Sequence, residues 1–481
     1  MKIRNNSSNS TVTKLITPKP CPLKLSLAKH QLRSAINKYP YFFEPLAELP
    51  TSVDKELLLE LSSKYTNFYH SSGKFRELSD ETISSFVQND EYIRHAHQLL
   101  SSTLGSPAEH LEVSIDDCSF TLELSSEVWK QMGAQSSKKP KGKHAELMRL
   151  VKENSHGEVV LKISHGSGGE LAHLYGHHWV YRFSAGGEIR FHYMPVDNSS
   201  SSPNGKHKNS ETIRSSRISF RLSSLGINNL RIFLSWLRSL SIQEYDRAVF
   251  HNDSKTKGTT NGAYITRIDF EAKFYALPFP FLMLKDTHHS VEHFAIFPKN
   301  SSKSMASSAY SGDHANNSHF ILYDAVLKLI DKGLITLEEA GCFVELCKIE
   351  RRLLPSKNGN GGLLVTGLDK VNANFERLYI YSPKVFQHLP EKVAVKLARF
   401  KSDAVWGNLG KRETKQLEKV LNDHQFKIPI NADEINLKCY LLAQQLQRVI
   451  MEPSLNTHRI TEGNSEPLKR SVLKSLSIEP R

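Results

Sequence analysis

Between residues 145 and 355 the chain keeps breaking into short runs rich in β-formers. Val159–Ser164, Trp179–Phe183, Ile189–Tyr193, Arg217–Leu222, Tyr264–Phe274, Phe294–Phe297 and Phe320–Tyr323 each read as a strand. Gly186-Gly187 falls between two of them, where a tight hairpin needs residues free of a side chain. Within this stretch Asn228–Leu240 has helical periodicity, with Leu230, Phe233, Leu234 and Leu237 on one face. Many short strands and an amphipathic helix can bury their apolar faces only against each other. The pattern therefore predicts an α+β fold with a central antiparallel sheet. Two long polar loops, Asp197–Ser210 and Lys299–Ser318, interrupt it.

The flanks read differently. Residues 1–35 are polar and proline-rich and are expected to be disordered. Residues 36–144 are expected to be mostly helical, as in Val53–Tyr65 and Glu81–Leu104. One strand pattern, Cys118–Leu124, and a basic linker, Ser136–Lys143, follow them. Residues 145–355 would form the sheet domain. Residues 356–451 would form a helical C-terminal region, with helices over Pro390–Arg399, Lys411–Leu421 and Ala432–Met451. Residues 452–481 would be a flexible tail.

Among 481 residues the net charge is +13 and the pI about 9.3, which points to a polyanionic partner. No stretch approaches the ~20 apolar residues that span a bilayer, and the first 30 residues lack an apolar secretory core. Nucleic acid is therefore favoured over a membrane. The five cysteines are scattered and form no CxxC, which argues against a disulfide framework or zinc ribbon and for a reducing, cytoplasmic setting.

Three segments carry the chemistry: Thr266-Arg267-Ile268-Asp269-Phe270, Leu322-Tyr323-Asp324 and Ile349-Glu350-Arg351-Arg352. Asp269 stands among Ile265, Ile268 and Phe270, where a carboxylate is costly unless paired or metal-bound. An Asp269–Arg267 ion pair and a metal site both meet that condition, and Glu350 follows the same logic. Tyr323 alone is more often a half-buried aromatic than a nucleophile.

In order and spacing these segments resemble the rolling-circle replication initiators of filamentous phages (gene II-type) and small plasmids (Rep-type). That family carries a Thr/Ser-Arg-hydrophobic-Asp strand, then a hydrophobic-Tyr segment, then an Arg/Lys-hydrophobic-Glu-x-Arg/Glu strand. Here they read Thr266-Arg267-Ile268-Asp269, Ile321-Leu322-Tyr323 and Lys348-Ile349-Glu350-Arg351-Arg352. Ser216–Phe220 with the helix around Trp236, and Asn374–Tyr379, also fit the family's order, so the resemblance covers roughly residues 155–430.

The resemblance implies that Tyr323 attacks a DNA phosphodiester and forms a 5′-phosphotyrosyl link. It implies that Asp269 and Glu350 hold Mg²⁺ or Mn²⁺, and that Arg267 and Arg352 bind non-bridging oxygens. Origin DNA is the implied partner, with a host replication helicase and a second copy of the chain as further ones. Two positions depart from the pattern. Ala325 stands where many members have Lys, with Lys328 a turn further on. Lys273 stands where plasmid members often have a second acid, with Glu271 close by.

Arginines interleaved with aromatics recur at 182, 190, 214, 217, 221, 231, 238 and 247, and predict a DNA-tracking surface that includes Arg217, Arg221, Arg231 and Arg238. His173 and His177 would share a helix face as metal ligands, but Gly168-Gly169 and Gly176 suggest turns. His95-Ala96-His97 lies in a helical pattern, where residues two apart diverge. Two other readings stand beside nicking. One is a DNA-binding regulator without chemistry, derived from such an initiator. The other is a metal-dependent hydrolase using His165, His173, His177, His178 and His192.

Overall fold

The computed structural model describes residues 80–105, 112–122, 142–167, 169–184, 187–195, 216–220, 225–250, 263–275, 283–286, 293–294, 308–311, 319–324, 346–355, 363–399, 409–428 and 430–453, with single positions between 124 and 132. The strands are β1 Glu112–Leu122, β2 Leu161–Gly166, β3 Tyr175–Phe183, β4 Glu188–Pro195, β5 Ser216–Phe220, β6 Tyr264–Tyr275, β7 Met283–Asp286, β8 His293–Phe294, β9 Ser308–Ser311, β10 His319–Asp324, β11 Leu346–Leu353, β12 Leu363–Leu364, β13 Leu378–Tyr381 and β14 Lys427–Ile428. The helices are α1 Asp80–Val87, α2 Asp90–Gly105, α3 Lys143–Asn154, α4 Ile227–Leu240, α5 Ile242–Phe250, α6 Glu391–Arg399, α7 Lys411–Leu421 and α8 Ala432–Met451.

The fold is α+β, as the periodicity predicts. One antiparallel sheet runs β2-β3-β4-β5-β1-β6-β11-β10-β9-β8, with β12 added on β6; β14-β13-β7 form a second, small sheet. The stretch expected as a single helical pattern over Glu81–Leu104 is two helices, α1 and α2. Val53–Tyr65, the tails and the basic linker before residue 142 lie outside the described residues.

The division at 144/145 does not separate two cores. β1 belongs to the segment before it, yet lies between β5 and β6 in the middle of the sheet. The last helix also packs inward. Its seam of Ile435, Cys439, Ala443, Leu446, Val449 and Ile450 is buried in one cluster with Ile93, Phe120, Phe233 and Phe270. The Tyr245 hydroxyl donates to the Ile450 carbonyl at 2.7 Å and ties α5 to this helix. Among the described residues no helix is long and apolar enough to cross a membrane.

Strand alternation gives the sheet two unlike faces. Tyr181, Phe191, Ile218, Phe120, Ile268, Phe270 and Ile349 form the face packed against helices; Tyr181 meets Phe233 of α4 with ring centroids 4.9 Å apart. The register places Arg182, Arg190, His192, Arg217, Ser119, Arg267, Asp269, Glu350 and Arg352 on the opposite face.

Candidate active site

Two of the three sequence segments lie on directly bonded strands, and the third lies on the next strand. β6 carries Arg267 and Asp269, β11 carries Glu350 and Arg352, and β10 carries Tyr323. The register sets Asp269 opposite Arg352, Glu271 opposite Glu350, Ile321 opposite Glu350, and Tyr323 opposite Lys348.

Two irregularities in the β1–β6 ladder shape this patch. Between Ile115 and Asp117 the extra residue on β1 is Asp116. Between Ser119 and Phe120 the extra residue on β6 is Thr266, whose hydroxyl donates to the Ser119 carbonyl at 3.2 Å. Each bulge switches the phase of alternation. Ile115 therefore stays in the core while Asp117 joins the charged face. Ile265 and Ile268 are likewise both buried, with Arg267 between them on that face.

The charges form one network. Arg267 Nε donates to both Asp269 oxygens, at 3.0 and 2.8 Å, and its Nη2 also bonds Asp269. Arg352 spans the pair: Nε donates to Asp269 at 3.1 Å and Nη2 to Glu350 at 2.5 Å. Arg267 Nη2 also lies 3.5 Å from Asp117 and 3.9 Å from Glu350. Next along, Lys348 Nζ donates to Glu271 at 2.5 Å, and the Ser114 hydroxyl donates to the same carboxylate at 2.7 Å. The side chains of Asp269 and Glu271 are wholly buried, and those of Glu350 and Lys348 nearly so.

Burial pushes the Asp269 carboxyl up, as does the Glu350 charge, against the guanidiniums of Arg267 and Arg352, which pull it down. For Arg267, burial opposes the charged form, but the carboxylates of Asp269, Asp117 and Glu350 outweigh it and raise its pKa. For Lys348, burial likewise loses to Glu271, Asp116 and Glu350.

A divalent cation needs carboxylate oxygens directed at it. Here both Asp269 oxygens accept guanidinium N–H groups, and the Glu350 oxygen nearest them is taken by Arg352. Among the described residues no group of three or more His, Cys, Asp or Glu is placed to hold a metal ion. As arranged, the Asp269–Arg267 pair that the sequence allows is formed, and a role for Asp269 and Glu350 with Mg²⁺ or Mn²⁺ requires a guanidinium to move aside. Millimolar Mg²⁺ or Mn²⁺ will therefore leave the thermal midpoint unchanged. A rise in the wild-type chain that Asp269→Asn abolishes would mean that the ion displaces a guanidinium.

The basic residues expected to line one DNA surface are divided. Arg217 is on the charged sheet face, opposite His192 and Thr121. Arg231 and Arg238 are on α4, which packs against the other face; Arg238 is held bidentately by Asp246 at 2.7 and 2.8 Å. Arg221 lies outside the described residues.

The histidines are divided too. His165 and His177 stack at 5.3 Å on the Trp179 side of the sheet, and the His165 ring bonds the Tyr193 hydroxyl at 2.6 Å. His178 and His192 are on the charged face, and His177 is in a strand, so the helix spacing from His173 does not apply. His97 is on α2, as its pattern predicts, with Nδ1 2.8 Å from the Ser382 hydroxyl. Neighbours Arg351 and Arg352 also part. Arg351 turns into the core, donates to the Ala373 carbonyl at 2.9 Å and covers the Phe320 ring at 4.5 Å.

Sequence reasoning missed the Lys348–Glu271–Ser114 chain. Its signal was present: Glu271 is two residues from Asp269 and Lys348 two from Glu350, so each shares a strand face with its neighbour.

No protein-family model matches the sequence, and no curated protein matches it. Among solved structures, one described as the rolling circle replication initiator protein from Geobacillus stearothermophilus aligns with 56% of this chain and 86% of its own, at 11% identity and a TM-score of 0.24. A likeness at that level carries no argument about fold or activity.

Proposed function

We infer that the chain nicks and rejoins one strand of DNA to start rolling-circle replication of a phage or plasmid. The observation that carries this reading is the register, which draws the Arg267–Asp269 segment, the Glu350–Arg352 segment and the backbone of Tyr323 onto consecutive strands β6-β11-β10. In this reading the Tyr323 phenol gives up its proton and attacks phosphorus. The bond from phosphorus to the 3′ oxygen breaks, and that oxygen takes up a proton as it leaves. The strand is kept as a 5′-phosphotyrosyl ester, and attack by a 3′ hydroxyl reverses the step.

Arg267 and Arg352 supply the countercharge. Their bonds to carboxylates use Nε and Nη2, and among the described residues no bond engages either Nη1, which in this reading meets phosphate oxygens. Asp269 and Glu350 act as positioning residues that fix the two guanidiniums before DNA arrives. Origin DNA is the proposed partner; a helicase contact and a dimer belong to the same reading.

One observation favours a second reading, a DNA-binding regulator without chemistry. The carboxylates that would bind a metal are neutralised by arginine. The readings part on one experiment. The chain is incubated with end-labelled single-stranded DNA of randomised sequence in Mg²⁺ buffer and run on a denaturing gel. A retarded, protease-sensitive band is expected. DNA bound under native conditions with no such band would support the regulator and remove the nicking reading.

The two-faced sheet also predicts how affinity responds to salt. The logarithm of affinity falls linearly with that of salt, by about 0.7 per single-strand phosphate neutralised. Arg217→Ala will make the slope shallower by roughly one phosphate's worth, and Arg238→Ala, whose cation Asp246 already holds, will not. Equal slopes for wild type and Arg217→Ala would take Arg217 out of the DNA surface.

A further inference from the structure

A second cluster on the charged face includes Arg217, already read as a DNA contact, and takes no part in the nicking step. Four residues follow one another across the sheet in strict register: Gly166 on β2, His178 on β3, His192 on β4 and Arg217 on β5. The two imidazoles stack, with centroids 5.6 Å apart and planes inclined by 25°. Tyr175 closes one side, its ring 5.6 Å from that of His192.

Three buried polar atoms here have no protein partner among the described residues: His178 Nδ1, His192 Nδ1 and Arg217 Nε. Buried polar atoms are nearly always satisfied, so three at successive register positions call for an explanation. Gly166 belongs to the same construction. A Cβ at that position would come 2.7 Å from His178 Cε1, so a side chain there would push the ring out of the row.

The setting is electropositive. Arg190 and Arg182 lie near His178, with Glu188 the acid among them, and its oxygens are taken by those two arginines. Burial, His178, Arg217 and Arg190 push His192 down to about 4. Burial and Arg190 lower His178 as well. Near neutral pH both imidazoles are uncharged, and each carries one N–H. A metal cation is disfavoured beside Arg217, and among the described residues the nearest carboxylates are Asp117, on the Arg217 side, and Glu188, on the His178 side. With the N–H on Nδ1, the two imidazoles and the guanidinium present donors on one face, and a tetrahedral oxyanion suits them.

We propose that His178, His192 and Arg217 form a binding site for a phosphate group. The site adjoins the carboxylate–arginine cluster, since Arg217 lies within electrostatic reach of Asp117 and Arg267. Its donors come from β3, β4 and β5 and not from the strands that carry Arg267, Glu350 or Tyr323, so it exists whether or not the chain cuts DNA. The phosphate belongs to a polynucleotide backbone or is free in solution, and the chemistry is the same.

The test is calorimetric, on the full chain, with three probes: a twenty-residue oligothymidylate, the same oligomer with an uncharged methylphosphonate backbone, and inorganic phosphate. Arg217→Gln, His192→Asn and His178→Gln are compared with wild type. Loss of one charge-assisted bond is expected to weaken binding roughly tenfold. Weakened oligothymidylate binding, with methylphosphonate binding unchanged, assigns the site to backbone phosphate. Weakened inorganic phosphate binding, with oligothymidylate unchanged, assigns it to free phosphate. If all three variants bind both phosphate probes as wild type does, the proposal is overturned. Should Arg217→Gln unfold, Arg217→Lys keeps the charge and removes Nε; unchanged binding of both probes by that variant and by His178→Gln counts against the site equally. Adduct formation on randomised DNA reports on nicking separately.

Discussion

Asp269→Asn will lower the unfolding free energy by about 3 kcal/mol, read as a shift in the urea midpoint. The amide keeps the shape of the carboxylate but donates where Arg267 and Arg352 need acceptors. Breaking a buried pair from one side costs more than the pair contributes, because the remaining charges stay behind without compensation. Side chains of Arg267 and Arg352 that are 28% and 23% exposed keep the loss near the lower end of the usual range. Adding Arg267→Met to Asp269→Asn will recover part of the loss, since it withdraws one stranded cation. A wild-type midpoint for Asp269→Asn would mean that the ionic cluster contributes nothing to the fold.

Tyr323→Phe will abolish the covalent adduct and leave DNA affinity within about twofold of wild type. The substitution removes one oxygen, and the strand pairing of β10 with β9 and β11 is made by backbone groups. In the nicking reading the affinity comes from the cations of the neighbouring strands. Undiminished adduct in Tyr323→Phe would remove Tyr323 from the role. Tyr379 and Tyr381 would then be the alternatives, although they lie on β13, in the small sheet, and burial pushes the Tyr381 phenol up to about 12.

The sheet was legible because alternation and β-branched runs are local signals. The strand patterns at 179–183, 189–193 and 264–274 fall within strands, the one at 159–164 overlaps β2 from residue 161, and the 228–240 pattern falls within α4. The central position of β1 was not legible. Nothing in Glu112–Leu122 records that its partners are Ser216–Phe220 and Tyr264–Tyr275, more than ninety residues on. The bulges were hidden for the same reason, since each exists only relative to a partner strand.

At the site, the order of motifs brought Asp269, Glu350 and the Tyr323 backbone to consecutive strands, and Arg267 was weighed from the start as a partner for Asp269. What spacing could not tell was which cation the carboxylates would choose. Arg352 reaches them because Arg352 and Asp269 are register partners, and register is a property of the folded sheet. The arginines read as one surface are divided for a related reason. Arg217 and Arg238 are close in sequence, but a strand and a helix carry them to opposite sides of the sheet.

Peptide mapping of the covalent adduct tests the central claim most directly. The wild-type chain is incubated with randomised single-stranded DNA in Mg²⁺ buffer, digested with nuclease and protease, and sequenced by mass spectrometry. The account predicts a nucleotide phosphate attached to the peptide that contains Tyr323. The same phosphate on Tyr379 or Tyr381, or no modified peptide from a chain that binds the DNA, would contradict it.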